Sequence, residues 1–165
     1  MSLGVDNTRV ASEDQKRPPG LIADVMLGRL AKWLRLLGYD TLYSNSADDV
    51  TLLRRAQAED RVLLTRDRAL SRQRGVRALW IESQELKLQL RQVQTALGSP
   101  PDGSLTRCAV CNARLEAIDR SVVAGRVPPY VFQTQAEFRR CPQCERVYWA
   151  ATHVARMQEL MNELE

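Results

Sequence analysis

Two pairs of closely spaced cysteines constrain the fold of this chain more than any other feature of its sequence. Cys108 and Cys111 form the segment C-A-V-C, Cys141 and Cys144 form C-P-Q-C, and the sequence has no other cysteine. Each pair predicts a tight turn that directs two sulfurs toward one point, and residues 112–140 are long enough to bring the second turn back to the first. Two such pairs supply the four thiolates of a tetrahedral zinc site. The sequence therefore predicts a zinc ribbon with one structural Zn²⁺.

The alternative for these cysteines is two disulfides or redox-active dithiols. Disulfides are typical of short secreted scaffolds, and the polar start of this chain predicts no signal segment. We therefore favour zinc and, with it, a reducing, cytoplasmic compartment. Within the turns, Asn112 tolerates a left-handed backbone, whereas Glu145 stands where glycine would fit most easily.

The positive charge of the chain is unevenly distributed. The formal net charge is +4, and residues 21–98 account for the whole excess, with 13 basic against 9 acidic residues. Eight arginines between residues 54 and 77 suit contact with phosphate groups, although a solvated arginine-rich surface is the plainer interpretation. No apolar run approaches the roughly 20 residues of a membrane-spanning helix, so we predict no membrane contact.

Short apolar runs alternate with helical periodicity in the first half of the chain. Strands are predicted at 21–23, 41–43, 61–65 and 77–81. Four helices are predicted: one at 27–37, one that begins at 48, a short one after residue 67 that ends at 70, and one that Ser83 caps and that ends at about 97. This alternation predicts an α/β fold whose parallel sheet is flanked by helices. We divide the chain into a flexible tail (1–20), an α/β domain (21–98), a linker (99–106) and a zinc ribbon with a C-terminal helix (107–165).

Acidic residues recur where a predicted strand gives way to a helix. Asp24 follows the first strand, Asp48 and Asp49 open the helix after the second, and Asp67 follows the third. The carboxyl ends of parallel strands share one edge of a sheet, where ligands bind. Carboxylates that converge there would suit Mg²⁺ or Mn²⁺, which activates water and neutralises charge on a phosphate. Each aspartate taken singly is more simply explained as a helix N-cap.

Other catalytic systems find little support in the sequence. The single histidine, His153, lies beyond the second cysteine pair, so a Ser-His-Asp or Cys-His arrangement would have to reach across domains. We interpret His153 as a packed or surface residue, with contact to RNA as the alternative. No glycine-rich phosphate loop of the expected spacing is present.

Taken together, these segments resemble a known family. The runs are IADVMLGRLAKWLRLLGYDT (22–41), DDVTLLRRA (48–56), VLLTRDRAL (62–70), both cysteine pairs and VYWAATH (147–153). Over residues 21 to about 157 they resemble the Mut-7 carboxy-terminal RNase-domain family. That resemblance implies a PIN-like nuclease fold, fused to a zinc ribbon, that binds Mg²⁺ or Mn²⁺ and hydrolyses single-stranded RNA.

The resemblance also implies roles for individual residues. Asp24, Asp48 and Asp67 would hold Mg²⁺ or Mn²⁺, and Asp49 would join them as a catalytic acid. The basic residues predicted to bind RNA are Arg29, Lys32, Arg35 and Arg66. Two alternatives to a metal-dependent ribonuclease stay open at this point: a non-catalytic RNA-binding adaptor, and a toxin-type ribonuclease of a toxin–antitoxin pair.

Overall fold

The computed structural model describes residues 17–150 and 152–162, and within the last helix it describes the side chains of residues 154–159. Most of the predicted tail, residues 1–16, and the side chain of His153 therefore lie outside the described part of the chain. No helix in the described part is long and apolar enough to cross a lipid bilayer.

The first sheet has four parallel strands in the order β2-β1-β3-β4. Its strands are β1 (Leu21–Ala23), β2 (Thr41–Tyr43), β3 (Val62–Thr65) and β4 (Ala78–Trp80). Every residue of the central strands β1 and β3 is buried, because helices cover both faces of the sheet. This explains why their sequences are continuous apolar runs rather than alternating ones. The parallel α/β fold predicted from the sequence is confirmed.

Helices pack on both faces of this sheet. A single 3₁₀ turn, Val25–Leu27, leads into α1 (Gly28–Leu36), and the chain continues through α2 (Asp49–Ala58), α3 (Arg68–Ser71) and α4 (Leu86–Leu97). One core cluster joins α1 and α4 to alternate strand residues, and a second joins α2 and α3 to the intervening ones. The core therefore forms two apolar layers, one on each side of the strands.

The start of α4 differs from the prediction that Ser83 caps it. The helix begins at Leu86, with Glu85 in the capping position and no side-chain capping bond. The hydroxyl of Ser83 instead accepts a hydrogen bond from the backbone N–H of Glu85 at 3.0 Å. Ser83 thus stabilises the turn that precedes the helix, because a serine hydroxyl bonds equally well to the N–H two residues on in an isolated turn.

The predicted end of the first helix near residue 37 is confirmed, and Gly38 follows it. Gly38 has a φ of 95°, a conformation that favours glycine after a helix end. A Cβ at this position would lie 2.3 Å from the carbonyl oxygen of Gly103. Next to it, the N–H of Leu105 donates to the carbonyl of Leu36 at 2.7 Å. The segment predicted as a linker therefore packs directly against the end of α1.

The second sheet is small and antiparallel. It contains β5 (Glu116–Ile118), β6 (Phe138–Arg140) and β7 (Val147–Trp149), and its connections include α5 (Arg120–Val123) and α6 (Pro129–Thr134). Its core has three buried residues, Val123, Val127 and Phe138. The final helix, α7 (Thr152–Asn162), returns to the first sheet, where Met157 packs against the cluster under α1 and α4.

Candidate active site and cysteine cluster

The four cysteines of the two pairs meet at one point. Their sulfur atoms all lie within 4.8 Å of one another, and the sulfurs of Cys108 and Cys144 are 3.6 Å apart. A disulfide would require about 2.05 Å, and all four thiols are free. Tetrahedral Zn²⁺ with Zn–S bonds of about 2.3 Å separates its sulfurs by about 3.8 Å. The cluster therefore fits a structural zinc ion.

Equivalent backbone turns hold the two pairs. In each turn the N–H of the second cysteine donates to the sulfur of the first, at 3.3 Å for Cys111 and 3.4 Å for Cys144. The next residue donates its N–H to the carbonyl of the first cysteine and adopts a left-handed backbone, with φ 63° at Asn112 and 60° at Glu145. These turns aim the sulfurs by backbone geometry alone.

The ionisation of the thiols suits a cation. Burial raises the pKa of Cys108, but hydrogen bonds from the Tyr148 hydroxyl and from the N–H groups of Cys111 and Val110 outweigh burial and lower that pKa to about 7. A hydrogen bond shared with Cys144 raises the pKa of Cys111 to about 12, and burial and the charge of Cys108 act in the same direction. Neighbouring thiolates therefore resist joint ionisation, which a bound Zn²⁺ would make favourable.

The two left-handed turn residues allow a matched pair of substitutions. We expect Glu145→Gly to raise the free energy of unfolding by about 0.5–1 kcal/mol, because glycine adopts this backbone without steric cost. Asn112→Gly relieves the same strain but should lower stability by about 1–2 kcal/mol, because it removes two hydrogen bonds made by the amide. Denaturant unfolding of the zinc-loaded proteins measures both. Stabilisation of similar size by both substitutions would contradict a role for the Asn112 side chain.

Those amide contacts tie the cysteine cluster to the first sheet. The Asn112 side-chain oxygen accepts from the N–H of Thr41 in β2 at 3.1 Å, and its nitrogen donates to Asp40 at 2.7 Å. Asp40 also forms an ion pair with Arg61 at 3.0 Å. Burial raises the pKa of Asp40, but the hydrogen bonds from Arg61 and Asn112 outweigh it and hold that pKa below its usual value.

Arg35, which the family resemblance implied to bind RNA, is buried at the same junction. It is 7 % exposed, and its guanidinium donates to the carbonyls of Thr41 at 2.8 Å, Ala109 at 3.1 Å and Val110 at 2.9 Å. These three bonds join α1, β2 and the first cysteine turn. Since Zn²⁺ with four thiolates carries a net negative charge, the buried cation also lies where it would offset that charge. The guanidinium of Arg35 is therefore used within the fold and is not presented to solvent.

Asp24 and Asp67 lie at the carboxyl ends of adjacent central strands. Asp24 follows β1, is 5 % exposed, and accepts a hydrogen bond from the hydroxyl of Thr65 at 2.8 Å. The same hydroxyl accepts from the N–H of Asp67 at 3.0 Å. Asp67 caps α3, with one oxygen accepting from the N–H groups of Ala69 and Leu70. Thr65 thus links the two acidic positions through one hydroxyl.

Asp48 and Asp49 lie farther along this edge, after strand β2. Asp48 caps α2 by accepting from the N–H of Thr51 at 2.7 Å, and that bond holds the pKa of Asp48 below its usual value. Both aspartates are exposed. Among the described residues, only the cysteines bring three or more potential ligand atoms within 4.8 Å of one another. The acids therefore share an edge of the sheet without forming a closed ligand cage.

The other basic residues that were predicted to bind RNA lie around the carboxyl edge of the parallel sheet. Arg29 and Lys32 are exposed on α1, which begins just after Asp24. Arg66 is partly buried, and its guanidinium donates to the carbonyl of Ser83. Beside it, the guanidinium of Arg68 stacks on the ring of Trp80, 4.3 Å from the centroid.

Sequence reasoning missed two residues of these sites, Thr65 and Tyr148. The hydroxyl of Tyr148 lies 3.0 Å from the sulfur of Cys108 and accepts from the N–H of Ala109 at 3.1 Å. Thr65 ends a buried apolar strand directly before the R-D step. A polar residue in an otherwise apolar buried strand is the signal that could have identified Thr65, since buried hydroxyls need partners. Tyr148 had no comparable signal in the sequence.

Comparison with known proteins assigns the chain to a family. Residues 19–161 match the family model described as Mut7-C RNAse domain. No curated protein and no solved structure matches the chain significantly. The matched range includes the strand-end aspartates and both cysteine pairs, and it confirms the resemblance drawn from the sequence. The chain therefore belongs to the Mut7-C RNAse domain family.

Proposed function

We propose that this protein is a metal-dependent ribonuclease that hydrolyses phosphodiester bonds of single-stranded RNA at the carboxyl edge of its parallel sheet. The observation that carries the proposal is the buried carboxylate of Asp24, the residue that follows β1. It accepts from the Thr65 hydroxyl, which also accepts from the N–H of Asp67. Removal of a carboxylate from water costs free energy unless hydrogen bonds, a cationic side chain or a metal ion offset the lost hydration. One hydroxyl donor is a modest partner for such a group.

The arrangement suits a hard divalent cation. Mg²⁺ usually keeps several waters and takes one or two protein carboxylates together with substrate phosphates, so an open set of acids is compatible with it. Asp24 and Asp67 would hold Mg²⁺ or Mn²⁺, with Asp48 as a third ligand and Asp49 as an outer acid. When bound, such an ion activates water and neutralises charge on the scissile phosphate.

The protein's own residues would orient the substrate and the acids. Thr65 would restrict the rotation of the Asp24 carboxylate, because its hydroxyl donates to one of the two carboxylate oxygens. Arg29, Lys32 and Arg66 would bind phosphates on either side of the reacting bond. Because the thiols are free in the cluster, we also propose a reducing, cytoplasmic compartment for the protein.

The test is cleavage of end-labelled single-stranded RNA with Mn²⁺ or Mg²⁺. We expect Asp24→Asn combined with Asp67→Asn to lower the cleavage rate by about a hundredfold or more, because the charge that holds the ion is lost. Asp60→Asn is the matched control, since Asp60 lies before β3 at the opposite edge of the sheet and is exposed. Equal cleavage by the double variant and the unchanged protein would exclude this site.

A non-catalytic RNA-binding adaptor gives a different set of results. The caps formed by Asp48 and Asp67 would then be their whole role. RNA would bind with strong salt dependence, no divalent ion would produce cleavage, and the aspartate variants would bind RNA at least as well as the unchanged protein. That combination of results would favour the adaptor function over the ribonuclease function.

Thr65→Val tests the orientation of the Asp24 carboxylate without changing the charge of the site. Valine keeps the volume of the buried side chain and both carboxylates but removes the hydroxyl. We expect kcat to fall by about tenfold with little change in KM, because the hydroxyl that orients Asp24 and accepts from the N–H of Asp67 is lost while both carboxylates remain. Cleavage rates measured over a range of RNA concentrations give kcat and KM separately. A change confined to KM would contradict a positioning role for Thr65.

A further inference from the structure

A cleft of about 560 Å³ lies between α1 and the cysteine-bearing sheet, apart from the aspartate edge. Tyr148 and Trp149 of β7 line it, together with Val110 from the first cysteine turn. Val110 is 53 % exposed, although it is apolar. A concave site of this size with an apolar, aromatic lining is of the kind that binds small molecules or single bases.

The charged residues of the cleft are mostly basic. Lys32, Arg126 and Arg146 line it and are exposed, against one exposed acid, Glu145. Arg126 is held in place by a hydrogen bond from its guanidinium to the backbone carbonyl of Glu145 at 3.2 Å. An aromatic, apolar lining combined with cations matches the two parts of a nucleotide, its base and its phosphate.

The first helix connects the cleft to the aspartate edge. Asp24 lies one 3₁₀ turn before α1, Arg29 lies in the first turn of that helix, and Lys32 lies three residues farther on. Residues three apart lie on one helix face, about 5–6 Å apart. A single RNA strand that passes Arg29 would therefore reach Lys32 and the mouth of the cleft without leaving the protein surface.

We propose that this cleft binds one nucleotide of single-stranded RNA, next to the part of the strand that lies at the aspartates. This proposal rests on the proposed function in taking RNA as the ligand. The phosphate would pair with Lys32, Arg126 and Arg146, and the base would pack on the ring of Tyr148, because Trp149, the next residue of β7, packs against the core of the small sheet. A base in a duplex cannot enter, because it is paired and stacked within its helix.

The contacts of Tyr148 predict how selective the cleft is. Its hydroxyl is already engaged by Cys108 and by the N–H of Ala109. The ring face, rather than the hydroxyl, is therefore what Tyr148 offers to a base. Stacking accepts every base, so the cleft selects single strands over duplexes and shows little preference among sequences.

The experiment measures binding of a short fluorescent oligouridylate in the Asp24→Asn background, without added Mg²⁺ or Mn²⁺, so that cleavage does not interfere. We expect Arg126→Glu with Arg146→Glu to weaken binding about tenfold or more and to reduce the salt slope by about 0.7, the value for the one phosphate that these arginines would neutralise. The matched control is Arg72→Glu with Arg74→Glu, two exposed arginines before β4 at the opposite edge of the sheet. The control should lose much less affinity.

A second variant and a crosslinking experiment test the cleft independently of the arginine substitutions. Val110→Asp puts a negative charge in the cleft at an exposed position and should weaken binding about tenfold. Zinc content and thermal unfolding of each variant verify its fold. Oligonucleotides that contain 4-thiouridine should crosslink to the peptide that carries Tyr148 and Trp149 in the unchanged protein.

The outcomes separate this inference from the proposed function. Equal losses from the cleft variants and the Arg72/Arg74 control would overturn the cleft site, as would equal affinity for a duplex or for polyglutamate. If RNA is cleaved but the cleft variants bind it normally, the cleft inference fails and the ribonuclease remains. If no RNA is cleaved while the cleft variants still lose affinity selectively, the cleft site stands and the ribonuclease fails.

Discussion

Cys141→Ser is expected to abolish zinc binding and unfold the cysteine-bearing sheet. Cys141 is fully buried, its N–H donates to the carbonyl of Arg146, and its sulfur accepts from the N–H of Cys144. The apolar core of this sheet has three buried residues, too few to stabilise it alone. A structural zinc ion contributes about 10–16 kcal/mol in zinc-finger peptides, far more than this core can replace.

Zinc per chain and thermal unfolding, followed by near-ultraviolet circular dichroism, measure this effect. Gln143→Ala is the matched control, because Gln143 lies in the same turn and is exposed. The control should keep one zinc ion per chain and an unchanged melting temperature. A Cys141→Ser protein with full zinc content and the same melting temperature would contradict a structural zinc site.

Loss of zinc should also affect the first sheet. Asn112 follows the first cysteine pair and bonds to Asp40 and Thr41, while Arg35 bonds to carbonyls inside the same turn. Unfolding of the cysteine turn would therefore remove partners from the end of α1 and from the edge strand β2. Hydrogen exchange should accelerate at these two places before it accelerates in the central strands.

The four parallel strands and their helices could be predicted because each one is specified locally. The apolar runs of β1 and β3 have no alternation, as expected for strands covered on both faces, and Gly38 marks the end of α1. The meeting of the cysteines followed from their spacing. The strands and the helix end depend on neighbouring residues, and the two cysteine pairs have a spacing that is typical of zinc sites, so both could be predicted from the sequence.

The interface between the two sheets could not be predicted in the same way. Arg35 lies opposite the leucines of α1 in the helical pattern, and the family resemblance implied that it binds RNA. Its burial depends on carbonyls 74 and 75 residues away, which no local pattern encodes. The aspartates were placed at one edge of the sheet from the strand pattern, but their mutual distances depend on loop geometry that periodicity does not define.

Arg35→Met is expected to lower the free energy of unfolding by about 3–4 kcal/mol, because it leaves three carbonyls of Thr41, Ala109 and Val110 without their donor. Arg35→Lys should not restore this stability, since an ammonium cannot reproduce the planar fork of donors. Lys32→Met, three residues earlier on the exposed side of α1, should change stability by less than about 0.5 kcal/mol.

RNA affinity distinguishes a structural Arg35 from a phosphate-binding one. The comparison is made at temperatures where the unchanged protein, Arg35→Met and Lys32→Met are all folded. Arg35→Met should then bind single-stranded RNA as tightly as the unchanged protein, whereas Lys32→Met should bind it more weakly. The opposite pattern, with stability retained and RNA affinity lost in Arg35→Met, would restore the phosphate-binding role predicted from the sequence. Lys32 and Arg35 lie on the same helix and each carries one positive charge. A difference in RNA affinity between the two variants can therefore arise only from where each side chain is directed: Arg35 into the junction with the cysteine turn, and Lys32 into the cleft.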